Sequence, residues 1–321
     1  MKLFKRLCAL FLAVTFVCLC GCVDLVGRFY PEDTTGTDTP AFVPVDVDEG
    51  SIYFKDFDGN VITMTAAPKS VASLSPVSTE IICGIGASRY ISVINATSTK
   101  VDGAPISAAV VTDYNPDTDK IIELKPDLVF YSSDSLSLIS VMILQNAGLT
   151  LVRIPEKGNV ETAESNIRFI SSLLYRDQYG EKLIYEIRDE IERMKTAADI
   201  VGVRKKIYIE NSTLYSAVGG DTIISELCSY AGADNVFKDH PTVFLANASM
   251  LKSADPEVII VLTDYVDTFN VDTVRKREGL EGVYAVRTKA IYPINRTQAT
   301  RPTQNIIYAL RAIGEALKVT K

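Results

Sequence analysis

VASLSPVSTEIICGIGA, residues 71 to 87, holds a short apolar run, a serine followed by proline, and then Ile81, Ile82 and Ile85 ahead of glycine. Val71 to Leu74 predicts a buried strand. Ser75 suits a helix N-cap and Pro76 the first helical position, where proline's fixed φ fits and its missing N–H is not needed. The helix is expected to stop at Gly86. A strand that passes directly into a capped helix opens a crossover unit, so an α/β fold is expected.

The pattern recurs outward from that stretch. Further strands are predicted at Ile91 to Ile94, Leu128 to Tyr131 and Leu149 to Ile154. A second series begins at Lys206 (KIYIEN) and continues through Val258 to Leu262 and Ala290 to Ile294, with helices near 221 to 231 and 302 to 318. Two α/β lobes are therefore expected, each with a central, mostly parallel sheet flanked by helices. Upstream, IYFKDFDGNVITM (52 to 64) alternates around Asp58-Gly59-Asn60, the pattern of a β-hairpin. Between the two series, Gly180 is expected to interrupt a helical stretch. After it, Leu183, Ile184, Ile187, Ile191, Met194 and Ala198 recur on one face. Twenty helical residues reach ~30 Å, enough to join one lobe to the other; an ordinary packed helix inside one domain fits the same pattern.

The chain has 321 residues, 47% hydrophobic, 23% charged and 8% aromatic, a soluble globular composition that suits one or two domains. Cys8, Cys18, Cys20 and Cys22 crowd the start, leaving Cys83 and Cys228, which excludes a disulfide scaffold or a zinc ribbon. Both remaining cysteines read as small buried hydrophobes. The single histidine, His240, excludes a metal site of several imidazoles and reads as polar loop surface. Gly84-Ile85-Gly86 lacks the third glycine of a dinucleotide fingerprint, and no P-loop or Gly-X-Ser-X-Gly is present. No cofactor is expected.

Lys2, Lys5 and Arg6 precede an uncharged run ending in Leu19-Cys20-Gly21-Cys22, which reads as a bacterial lipoprotein signal with Cys22 as the lipidated residue. The apolar or neutral run from Leu7 to Val23 falls short of the ~20 residues that span a bilayer. Cleavage after Gly21 would take the net charge from −7 to −10, which argues against a nucleic-acid partner. Residues 23 to 48 are rich in Thr, Asp and Pro and read as a tether. The expected organisation is a signal peptide (1–21), lipidated cysteine and tether (22–48), first lobe (49–178), interlobe helix (179–202) and second lobe (203–321).

VASLSPVSTEIICGIGA, VTDYNPDTDKIIELKPDLVFYSS (111 to 133), GGDTIISELCSYAGADNVF (219 to 237), ASMLKSADPEVIIV (248 to 261), and GVYAVRTKAIYPI followed by RPTQNIIYALRAIGEAL come in a distinctive order behind the lipobox. Together they resemble the substrate-binding lipoproteins of ABC importers for iron-siderophores, haem and cobalamin, over residues 51 to 318. The resemblance implies two lobes joined by one long helix, a monomer, and no enzymatic activity. It also implies a small-molecule ligand between the lobes, delivered to the permease subunits of a membrane importer. A bilobal surface lipoprotein with an adhesion or enzymatic role is the alternative.

Ligands of open α/β sheets bind beyond the carboxyl ends of the strands. Tyr114, Tyr131, Tyr215 and Tyr265 stand at predicted strand ends, where their rings would pack on a macrocycle or chelate, unless they are ordinary packing residues. Arg296 and Arg301 flank NRTQATRP, where guanidinium groups would suit an anionic ligand, unless they are solvated surface. Relatives carry a permease-docking glutamate on each lobe. Spacing back from Leu124-Lys125-Pro126 and from Asp255-Pro256 puts those positions at Asp119, which keeps the charge, and at Ser249, which does not.

Overall fold

The computed structural model describes residues 52–212, 215–264 and 270–319. The expected signal peptide, the expected lipidation site Cys22, the expected tether and Tyr265 lie outside the described residues. The chain opens with the expected hairpin, β1 (Ile52–Lys55) and β2 (Val61–Met64), paired antiparallel. Its turn is held by Asp56, whose carboxylate accepts from the N–H groups of Asp58 at 2.9 Å and Asn60 at 2.8 Å, with Gly59 at φ +82° supplying the left-handed residue.

The first lobe runs β3 (Val71–Ser73), α1 (Pro76–Gly84), β4 (Ile91–Asn95), β5 (Ala109–Val111), α2 (Thr118–Leu124), β6 (Leu128–Tyr131), α3 (Leu138–Asn146), β7 (Leu151–Arg153) and α4 (Val160–Leu173). Ser75 caps α1 as expected, accepting from Val77 N. The sheet order is β5-β4-β3-β6-β7 with every pairing parallel. Connections leave β3 in one direction and return to β6 on its other side, so a crevice opens beyond the carboxyl ends of these two central strands.

Helix α5 (Asp177–Val201) follows. Gly180 lies inside it and does not break it, which corrects the expectation from sequence. A Cβ there would sit 2.1 Å from Ser171 Oγ of α4, so glycine lets the two helices approach closely. The break falls instead at Tyr175, at φ +54°. One face of α5 is buried through Ile184, Ile187, Ile191 and Met194.

The second lobe comprises β8 (Lys205–Ser212), β9 (Ser216–Val218), α6 (Ile223–Tyr230), β10 (Ala233–Asn235), β11 (Val243–Leu245), α7 (Ala248–Ala254), β12 (Val258–Thr263), α8 (Val271–Arg275), α9 (Tyr284–Arg287), β13 (Ile291–Asn295), α10 (Arg296–Thr300) and α11 (Ile306–Leu317). Its sheet order is β11-β9-β8-β12-β13, with β10 also on β8. Strands β8, β10, β12 and β13 are parallel, and β9 turns back antiparallel. The two lobes echo each other at α2–β6 and α7–β12. Each short helix ends in a left-handed residue, Lys125 or Asp255, before a Pro-acid pair. In each, the acid accepts from the backbone of a neighbouring strand's start, Asp127 from Lys69 just ahead of β3 and Glu257 from Lys206 in the first residues of β8.

One apolar cluster takes in Ile81 of α1, Ile167 of α4, Ile187 of α5, Ile224 of α6 and Ile313 of α11. The lobes thus share a continuous core. Cys228 is buried within it, as expected, whereas Cys83 is only half-buried.

Candidate ligand cleft

The carboxyl ends of the parallel strands carry the polar and aromatic groups. Beyond β5, Asp113 stitches two strand ends together: its carboxylate accepts from Asn95 Nδ2 at 2.6 Å, Thr97 N at 3.1 Å and Thr97 Oγ1 at 2.9 Å. Next to it Tyr114 sits at φ +63°, a left-handed conformation that is costly for a bulky residue. Two backbone hydrogen bonds hold it there: Tyr114 N donates to Ser135 O at 2.9 Å and Ser137 N donates to Tyr114 O at 2.7 Å. The ring is left 52% exposed. Tyr131, at the end of β6, is half-buried, and burial followed by the nearby Asp58 carboxylate pushes its phenol above the ordinary value. Beside it, Arg153 at the end of β7 forks onto Asp58 of the hairpin turn. Ser75, besides capping α1, donates to Glu156.

In the second lobe Tyr215 occupies the turn between β8 and β9, at φ +60°. Its N–H donates to Glu210 at 3.2 Å, and the Arg277 guanidinium lies 4.2 Å over its ring. Arg277 in turn donates twice to Glu210, at 3.0 and 2.7 Å. Glu210 is fully buried, which raises its carboxyl above the ordinary range, against the pull of Arg277. Arg296, directly after β13, ties the ends of β8 and β12: it donates to Asp264 at 2.8 Å, to Asn211 Oδ1 at 2.7 Å and to Leu262 O at 2.9 Å.

Arg301 reaches the other lobe. It donates to Glu80 Oε1 of α1 at 2.5 Å, while Thr303 at 2.7 Å and Asn305 at 2.9 Å donate to Glu80 Oε2. Gln304 donates to the Glu80 carbonyl at 2.8 Å. Asn166 of α4 adds a second tie, donating to Pro155 O after β7 at 2.9 Å and to Pro302 O at 3.3 Å. These contacts bring segments that leave the carboxyl ends of both sheets onto one junction. Glu80, Asn166 and Glu210 were not singled out from sequence. The available signal was a carboxylate at Glu80 directly before the apolar Ile81-Ile82 of its helix.

Gly219-Gly220 follows β9 on the flank of the second sheet. Gly219 N donates to Thr242 O at 2.9 Å and Gly220 N to His240 O at 2.6 Å. A Cβ on either would fall 2.0 Å from a backbone oxygen, so close approach explains both glycines. His240 stacks on Phe244 with centroids 3.8 Å apart. Asp119 and Ser249 take the same second position of the equivalent helices α2 and α7, and both are exposed. Among the described residues no group of three or more His, Cys, Asp or Glu side chains is placed to hold a metal ion.

Two lobes built on largely parallel sheets, one long connecting helix and a polar junction where the carboxyl ends of both sheets meet define the bilobal binding-protein class. The chain belongs to the periplasmic binding protein family, whose model matches residues 71–296. Over 95% of both chains it is 23% identical to the ABC transporter substrate-binding lipoprotein YvrC of Bacillus subtilis (strain 168). It is 22% identical to the vitamin B12-binding protein of Pectobacterium carotovorum, over 61% of this chain and 72% of that one. Among solved structures, a possible iron-binding periplasmic solute-binding protein of Staphylococcus epidermidis superposes with a TM-score of 0.71 at 17% identity, covering 78% of this chain and 99% of that one. The haem-binding protein RhuT of Roseiflexus gives 0.66 at 19% identity, with the same two coverages. These likenesses establish the fold.

Proposed function

We propose that this chain is the lipid-anchored, extracytoplasmic binding component of an ABC importer. It takes an iron-siderophore, haem or cobalamin into the interlobe groove and delivers it to the permease. The observation that carries this reading is the pair Tyr114 and Tyr215, two tyrosines in strained left-handed conformations at the strand ends of opposite lobes. Strain kept at an exposed aromatic position, Tyr114, and at a half-buried one, Tyr215, is expected where a site is preorganised for a ligand. The names of the relatives, a substrate-binding lipoprotein and vitamin B12-, haem- and iron-binding proteins, support the same class of cargo.

The test is a thermal-shift panel of cyanocobalamin, haemin and ferric siderophores, because a specific ligand stabilises the folded state by RT ln(1 + [L]/Kd). A concentration-dependent rise in melting temperature with at least one of them is expected; a flat response to all contradicts the reading. Anchoring rests on Cys22. A Cys22→Ala chain should leave the membrane fraction, and unchanged partitioning would reject the anchor.

A further inference from the structure

The charges around the groove point to the electrical class of its cargo, an inference that rests on the binding role proposed above. Each arginine carried by the strand ends is already matched by a carboxylate of this chain. Arg153 pairs with Asp58, Arg296 with Asp264 at 2.8 Å, and Arg301 with Glu80 at 2.5 Å. Lys157, on the loop after β7, pairs with Asp134 at 2.8 Å. Asp113 and Glu156 accept from neutral donors, Asn95, Thr97 and Ser75, and among the described residues neither stands in an ion pair. Lys100, closing the turn after β4, is exposed.

An incoming polyanion would have to break a partly buried ion pair to gain Arg153, Arg296 or Arg301, while Lys100 and Lys157 stand in solvent, where salt screens their attraction. It would also meet the like charges of Asp113 and Glu156, carried by the strand-end loops of the first lobe. Apolar surface is offered instead: Tyr114 is 52% exposed, Leu138 and Ile139 at the start of α3 are 74% and 71% exposed, and Leu245 beside the Tyr215 turn is 74% exposed. We infer that the groove selects a chelate or macrocycle of zero or positive net charge, bound through its apolar faces, and turns away polyanionic chelates and dicarboxylates.

The test titrates the purified full-length protein with five probes: uncharged cyanocobalamin and ferrichrome, cationic ferrioxamine B, triply anionic ferric enterobactin, and haemin with its two propionates. Tightest binding is expected for an uncharged or cationic probe, with the anions at least about tenfold weaker at low salt, as one close like-charge contact implies. Asp134→Lys should then narrow that gap, and raised salt should abolish the narrowing. Tightest binding by enterobactin or haemin, weakening steeply with salt, overturns the inference and leaves the binding role standing. Failure of all five probes to bind removes the binding role and this inference with it.

Discussion

Glu80 shows how much one side chain can hold. Its carboxylate is 6% exposed and takes Arg301, Thr303 and Asn305 from a segment more than two hundred positions later in the chain. Removing one partner of a buried pair leaves the other charge uncompensated, which typically costs ~3–5 kcal/mol. Glu80→Ala should lower urea-unfolding stability by about that amount, whereas Glu80→Gln, which keeps two acceptor contacts, should lose about half as much. Equal stability of Glu80→Ala and wild type would deny the junction its role. The same carboxylate, after burial itself, helps raise the neighbouring Cys83 thiol to about 11, leaving it unreactive near neutral pH. None of this was readable from the sequence, because a buried glutamate in an apolar helix announces that it has a partner without saying which.

The elements divide by what makes them legible. Strands β6 and β12 are buried on both faces and read as continuous apolar runs; the predicted Leu128 to Tyr131 matches the observed strand. Helix α1 was marked by its own cap. Strands β5, β9, β10 and β11 are three residues each, too short for any periodicity to show. Gly180 was misread because close helix packing and helix termination both use glycine, and only the position of Ser171 separates them. The equivalence of α2 and α7 gives the docking proposal its geometry, since Asp119 and Ser249 occupy matching exposed positions with only one charge between them. If Asp119 contacts the permease, Asp119→Arg should impair uptake in cells without changing ligand affinity, while Ser249→Ala should have little effect. Normal uptake by Asp119→Arg at normal expression would sink that role. Exposed ion pairs are worth only ~0.2–1 kcal/mol, so a charge reversal is the more decisive variant than a deletion.

Across the molecule, the two lobes are joined by more than a connector. Helix α5 buries its apolar face in a core shared with α1 and α4 on one side and α6 and α11 on the other. Glu226 of α6 also accepts from Val160 N of α4 at 2.9 Å. Such a core resists wide hinge motion, so the groove is expected to be largely preformed and its strand-end side chains to sit near their bound positions. That makes Tyr114 the sharpest probe of the account. Glycine adopts φ +63° without strain, so Tyr114→Gly removes the ring while sparing the backbone. The measurement is an equilibrium titration of wild type and Tyr114→Gly with whichever probe the ligand panel identifies, alongside the melting temperature of each free protein. The account predicts saturable one-to-one binding by wild type, affinity lower by about tenfold or more in the variant, as loss of a ring stacked on the ligand implies, and nearly equal melting temperatures. Undiminished affinity in Tyr114→Gly would contradict it.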